Sequence, residues 1–247
     1  GCQSAAPPSR IITLAVLSSP NSLDPRTGSD ETSQRVHQLV YDNLLAHDDQ
    51  LKVTGGLASS WEQVDPLTYV IHLRKGVRFH DGHELTAADV VYTFQTILDP
   101  DSRSPHRGAF RGLESVEARD PSTVVFSLSE PFASFPTNLV IPQIIPAGAG
   151  PDVAAHPIGT GPYRFLRQLP DQRVELAAFD GYWAGRPANA GLVLRIVPDE
   201  VMRGLELRKG TIDLLLVKPI ERWLLLTYKF LGGLTFIFLT TGYAIGG

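Results

Sequence analysis

Residues Leu73 to Val91 read Leu-Arg-Lys-Gly-Val-Arg-Phe-His-Asp-Gly-His-Glu-Leu-Thr-Ala-Ala-Asp-Val-Val and admit few local structures. Tyr69, Ile71 and Leu73 alternate with Val70, His72 and Arg74, the period of a half-buried strand. Lys75-Gly76 permits a turn, Val77 to Phe79 resumes an extended run, and Asp81-Gly82 signals a second turn, because glycine takes positive φ without a steric penalty. Thr86 then precedes Ala87-Ala88-Asp89 as an N-cap, with Asp89 at the third helical position. Val90, Val91, Phe94, Ile97 and Leu98 follow at helical spacing, and Asp99-Pro100-Asp101 ends the run. A strand, two turns and a capped helix are therefore expected in sequence.

The remaining elements follow from the same periodicities. Ile11 to Leu17 is an apolar strand, and Ser18-Ser19-Pro20-Asn21 breaks it into a loop. Glu31 to Leu45 places Val36, Leu39, Val40 and Leu44 on one helical face. Val116 to Ala118 and Thr123 to Leu128 flank Arg119-Asp120-Pro121-Ser122 as a hairpin. Pro131 to Ile145 is apolar but interrupted by proline, and Pro146 to His156 reads as a Gly/Pro/Ala linker. Strands are expected over Tyr163–Arg167, Val174–Ala177, Leu192–Val197 and Ile212–Leu215, with a helix over Asp199–Lys209 that stops at Gly210. The fold class is mixed α/β.

Composition excludes some functions. The 247 residues carry a formal net charge of -4, which gives no electrostatic reason to expect nucleic acid. The single cysteine, Cys2, rules out an intrachain disulfide. No Gly-x-Ser-x-Gly elbow is present. Gly159-Thr160-Gly161 lacks the Gly-Lys-Ser/Thr ending of a phosphate loop, and Pro162 removes a donor amide. From Phe230 to Gly247 no residue is charged, a run of about eighteen residues that meets the length of a membrane span. Its glycines and threonines suit strands and turns better than an isolated helix. A truncated or altered reading frame, a buried segment of a shortened fold and a membrane helix are the three readings of this tail, in that order.

Several motifs together resemble the extracytoplasmic solute-binding proteins, family 5, that serve peptide and nickel ABC importers. These are Phe79-His80-Asp81-Gly82, Leu85-Thr86-Ala87 and Asp89-Val90-Val91, with Ser22-Leu23-Asp24-Pro25, Val40-Tyr41-Asp42-Asn43-Leu44 and Gly56 to Glu62 upstream, and Pro157 to Tyr163 and Gly181-Tyr182-Trp183 downstream. The resemblance covers Ile11 to Leu215 and matches the N-terminal half of the family. It implies a lobe of the periplasmic-binding-protein type II kind with a mixed sheet, the second lobe missing from this chain. The expected division is a lipoprotein tether at 1–10, a discontinuous first lobe at 11–52 and 156–222, an inserted subdomain carrying the signature motif at 53–155, and the atypical apolar tail at 223–247. Gly1-Cys2 looks like the end of a bacterial lipoprotein signal, which would make Cys2 the lipid attachment site and hold the chain on the extracytoplasmic or periplasmic side of a membrane; a plain thiol in an irregular terminus is the alternative.

By the same resemblance the chain is a non-enzymatic, monomeric component that needs no cofactor, binds a peptide or other small organic solute in an interlobe cleft and works with ABC permease subunits. Ser18, Ser19, Pro20 and Asn21 form the loop expected to face the ligand. Phe110 is the aromatic that family members commonly present to it, and Tyr41 and Asn43 are weaker candidates. Each has an ordinary alternative: a normal turn for the serine-proline loop, a loop anchor for Phe110. Val140-Ile141-Pro142-Gln143-Ile144-Ile145 lacks the arginine that some nickel-type members use there, which favours a peptide-like solute over a metal chelate. Two other classes compete: a cell-envelope metal-dependent hydrolase built on His72, His80 and His83, and a membrane-tethered accessory protein whose tail spans the bilayer.

Overall fold

A computed structural model describes residues 10–102 and 104–215. Cys2, the rest of the expected tether before Arg10 and the apolar tail at 223–247 lie outside the described residues. The chain runs through β1 (Ile11–Val16), α1 (Glu31–Val40), β2 (Leu45–His47), β3 (Val53–Gly55), β4 (Ala58–Asp65), β5 (Thr68–Leu73) and α2 (Ala87–Leu98). It continues through a 3-10 turn (Pro105–Phe110), β6 (Leu113–Asp120), β7 (Thr123–Leu128), α3 (Phe135–Asn138) and a second 3-10 turn (Pro151–Ala154). It closes with β8 (Tyr163–Leu169), β9 (Arg173–Ala178), β10 (Gly191–Ile196), α4 (Glu200–Arg208) and β11 (Leu214–Leu215).

Two principal sheets organise these elements. One has the order β11-β1-β10-β9-β8 and draws on both ends of the chain; the other, β4-β5-β7-β6, comes wholly from the middle. In the first, β1 pairs in parallel with β10 and with β11, whereas β8, β9 and β10 form an antiparallel meander. The core under this sheet joins Leu14 and Val16 of β1, Val36, Leu39 and Val40 of α1, and Leu192 and Leu194 of β10. The core under the second joins Ile71, Val124 and Phe126 to Val90 and Phe94 of α2. Phe94 meets Phe110 and Phe126 edge-on, with ring centroids 5.1 and 5.0 Å apart, a geometry worth about 1 kcal/mol per pair beyond simple burial.

The capped helix forms as its sequence dictates. The Asp89 carboxylate accepts from the Thr86 backbone N–H at 2.7 Å and from its hydroxyl at 2.9 Å, which holds the entry to α2. Gly76 and Gly82 have φ of 74° and 98°, the left-handed region their turns require. Two expectations need correction. β5 departs from strict alternation at one position: Tyr69, Ile71 and Leu73 are buried and His72 is partly exposed, but Val70 is buried too, because β5 is an inner strand with Glu62 and Val125 alongside. α1 stops at Val40 rather than Leu45. Tyr41 turns extended, at φ -120° and ψ 165°, and the Val40 carbonyl accepts from Gly161 N–H at 2.9 Å instead of continuing the helix. Among the described residues, no helix is long and apolar enough to cross a membrane.

Candidate functional site

β1 lies between two strands parallel to it, so the carboxyl ends of β1, β10 and β11 open on one edge of the sheet. Crevices outside such strand ends are where α/β sheets bind ligands. The Ser18–Asn21 loop leaves β1 there. Ser18 and Asn21 are exposed, Ser19 is partly covered and Pro20 is buried as an anchor. The loop is pinned on both sides. Asn21 N–H donates to Asp30, the N-cap of α1, at 2.9 Å, and Ser33 donates to the Asn21 side-chain oxygen at 2.9 Å. On the other side, Ser19 bonds to Asp171 in the β8–β9 turn. Burial acts to raise the Asp30 pKa, but hydrogen bonds from Ser33 and from backbone amides outweigh it and hold the group below the usual carboxylate range.

The next residues, 22–28, form a platform fastened by side chains. The His37 ring bonds through Nε2 to the Ser22 carbonyl at 3.0 Å, the Tyr41 hydroxyl donates to the Leu23 carbonyl at 3.1 Å, and His106 Nε2 lies 3.2 Å from the Pro25 carbonyl. Asp24 and Arg26, both largely buried, pair at 2.6 Å. Gly28 must remain glycine, since a Cβ there would sit 2.5 Å from His37 Cε1. Burial pushes His37 down to about 4, and its Nδ1 has no hydrogen-bond partner among the described residues. Burial likewise pushes His106 below the ordinary histidine value.

Two of the residues expected near a ligand, Tyr41 and Phe110, are buried in this framework, and Asn43 is half-buried. Tyr41 is fully buried and holds the platform through Leu23. The Asn43 amide donates to the carbonyls of Val140 and Ile141 at 2.9 and 3.0 Å, fixing that apolar segment. Phe110 is 2% exposed, with its ring against Phe94, so it anchors its loop. Gln143, in the segment without an arginine, is buried, and its side-chain oxygen is unpaired among the described residues.

The feature that sequence reasoning missed is Asp42. Its carboxylate is fully buried and accepts from the Thr160 hydroxyl at 3.0 Å, the Trp183 indole N–H at 3.1 Å and the Tyr182 hydroxyl at 3.4 Å. Its own carbonyl accepts from Ile144 N–H at 2.9 Å. Gly159-Thr160-Gly161 passes so close to the end of α1 that a Cβ on Gly159 would lie 2.1 Å from the Val40 oxygen. The only local clue was that Thr160, Tyr182 and Trp183 each carry a polar group on a largely apolar body.

The histidine cluster expected by the hydrolase reading does not assemble. His80 is held by backbone far along the chain, Nε2 2.9 Å from the Gly161 carbonyl and Nδ1 3.3 Å from Gly159 N–H, and burial lowers its pKa. His83 pairs with Asp81 at 2.7 Å and stacks on Phe79, with centroids 4.4 Å apart. His72 lies 3.8 Å from Glu62 on a different strand pair. Each ring has its own partner, so no shared centre forms. Among the described residues, no group of three or more His, Cys, Asp or Glu side chains is placed to hold a metal ion.

This architecture, a mixed sheet drawn from both ends of the chain beside a second sheet drawn from its middle, defines a lobe of the periplasmic-binding-protein type. Residues 52–229 match the model of the bacterial extracellular solute-binding proteins, family 5, and the chain belongs to that family. A glutathione-binding protein, GsiB, from Pectobacterium atrosepticum is 36% identical over 217 residues, covering 85% of this chain and 42% of the relative. Protein XP55 from Streptomyces lividans is 32% identical over 216 residues, covering 84% of this chain and 39% of that one. Among solved structures, the oligopeptide-binding protein AppA from Bacillus subtilis, in complex with a nonapeptide, superposes with a TM-score of 0.77 at 29% identity, covering 84% of this chain and 44% of its own. NikZ from Campylobacter jejuni, in complex with Ni(L-His), gives 0.77 at 28% identity, with 83% and 43% covered. The chain thus spans less than half the length of these relatives. The family acts outside the cytoplasm, and its members bind solutes rather than transform them.

Two outcomes follow from this geometry. Asp42→Ala strands the buried Thr160 hydroxyl and the half-buried Trp183 indole N–H, so it lowers unfolding free energy by about 3 kcal/mol in urea titrations, while Asp42→Asn, which keeps one acceptor oxygen, costs less. For His37, the folded value near 4 lies below the ordinary 6.5, so between those pH values the unfolded chain takes up a proton that the folded chain refuses. Stability therefore falls as pH drops from 6.5 to 4. His37→Gln removes about 3 kcal/mol of that dependence in melts across the window. The shifts at His80 and His106 have the same sign and leave a residual slope.

Proposed function

We propose that this chain is one wall of the substrate-binding component of an ABC importer for peptides or related small organic solutes. The observation that carries this reading is the family match combined with the open carboxyl edge beside the Ser18–Asn21 loop. Ser18, Ser19 and Asn21 offer polar groups to a solute, with Pro20 fixing the backbone beneath them. Tyr41, Asn43 and Phe110 act behind that surface, by holding the platform, the 140–145 segment and the neighbouring loop in place. Relatives named for glutathione and for an oligopeptide point to a solute with peptide bonds. The absence of arginine from 140–145 agrees with that preference.

In this reading the solute is gripped between two lobes that close on a hinge, and the closed form meets membrane permease subunits. The protein works as a monomer, and no bond in the solute is broken. The domain plan is a first lobe at 11–52 and 156–222 with the inserted subdomain at 53–155. The second wall comes from sequence that the longer relatives possess. Cys2 carries a lipid that keeps the protein at the membrane surface, with 1–10 as its tether.

Calorimetric titration tests the binding role. The 247-residue chain, titrated with glutathione and with mixed peptides of two to five residues, gives no saturable heat below about 1 mM, because most of the buried contact area is missing. The same chain extended to the length of its relatives binds at micromolar concentrations. Micromolar binding by the short chain would overturn the one-wall model; an extended chain that captures none of these compounds would overturn the solute assignment. For the anchor, cell fractionation in a bacterial host places the parent with membranes and Cys2→Ala in the soluble extract. Equal distribution of the two would remove Cys2 from the model.

A further inference from the structure

The turn between β8 and β9 contains a residue in an uncomfortable place for its type. Gln172 N–H donates to the Leu169 carbonyl at 3.0 Å, which closes a four-residue turn with Pro170 second and Asp171 third. Asp171 has φ of 56°, in the left-handed region where glycine is the ordinary occupant of that turn position. Aspartate tolerates that region at a cost glycine does not bear, and a contact of its side chain can offset the difference. The structure supplies one: the Ser19 hydroxyl donates to Asp171 Oδ1 at 2.9 Å, and Asp171 N–H donates back to Ser19 Oγ at 3.0 Å. The two residues are 152 positions apart. The nearby cations do not compete for this carboxylate, since Arg173 is engaged by Glu175 and Arg195 by Glu206.

We propose that Asp171 is a positioning residue for the candidate solute site: from the neighbouring hairpin it holds Ser19, and through Ser19 the whole Ser18–Asn21 loop, in one conformation before any solute arrives. The inference rests on the functional reading above only in calling that loop solute-facing. The α1 cap at Asp30 holds the far end of the loop through Asn21, so the hairpin contact is what fixes the near end. Ordering a loop in advance removes an entropic cost that binding would otherwise bear.

Amide hydrogen exchange on the solute-free 247-residue chain, read over residues 17–22, tests this. Asp171→Gly suits the backbone, so its unfolding midpoint is no lower than the parent's. It loses the Oδ1 acceptor, so exchange at Asn21 and Ser22 rises several-fold, up to about tenfold. Asp171→Asn tolerates the same φ and keeps an acceptor oxygen, and it restores parental exchange. Ser19→Ala breaks both bonds and exchanges at least as fast as Asp171→Gly. Parental exchange in Asp171→Gly overturns the proposal. So does faster exchange across the entire chain with a lowered midpoint, which marks Asp171 as general fold support. Because no solute enters this measurement, a chain that holds its loop yet captures no peptide when extended counts against the functional assignment and leaves the tether standing.

Discussion

The Asp42 carboxylate is the point on which the two halves of the structure depend. A buried charge is tolerated only where donors replace the water it has lost. Here those donors include three residues far along the chain: Thr160, Tyr182 and Trp183. Trp183 also lies under the Arg74 guanidinium, 4.8 Å from ring centroid to Cζ, and Arg74 extends from the end of β5. One carboxylate therefore ties the end of α1, the crossover back into the first sheet and the rim of the second. The close passage of Gly159 and Gly161 against the backbone of Leu39 and Val40 belongs to the same junction, since only chain without Cβ atoms can bring Thr160 near enough to donate.

Around that junction, order spreads towards the candidate site by a series of carbonyl contacts. His37 holds Ser22, Tyr41 holds Leu23 and His106 holds Pro25, so elements from both cores grip one loop. The Ser18–Asn21 segment is then fastened at Asp30, at Ser33 and at Asp171. Residues that a solute would touch are few; residues that determine where those few stand are many, and most are buried.

What could be read from the sequence was whatever is decided within a few residues. The α2 cap was legible because Thr86 and Asp89 contact each other inside one helical turn. The β6–β7 hairpin and the α4 stop at Gly210 were legible for the same reason. The length of α1 was not, because Val40 loses its helical continuation to Gly161, far along the chain. Tyr41, Asn43 and Phe110 carry polar or aromatic groups that suit a binding surface, and only tertiary packing shows Tyr41 and Phe110 buried and the Asn43 amide spent on the carbonyls of Val140 and Ile141. His72, His80 and His83 are close in sequence but are drawn to separate partners. Asp171 offered no signal beyond a proline before it.

β11 runs parallel to β1, with Leu14 beside Leu214 and Ala15 beside Leu215. Arg10 and Thr13, at the amino end of β1, both reach Asp213 just before β11 begins. The polypeptide therefore enters this sheet at one edge and is heading for the other when it passes Leu215. The contacts that clasp β1 to β11 thus lie at the amino end of the strands, and the opposite end, where Ser18 leaves β1, carries none of that clasp.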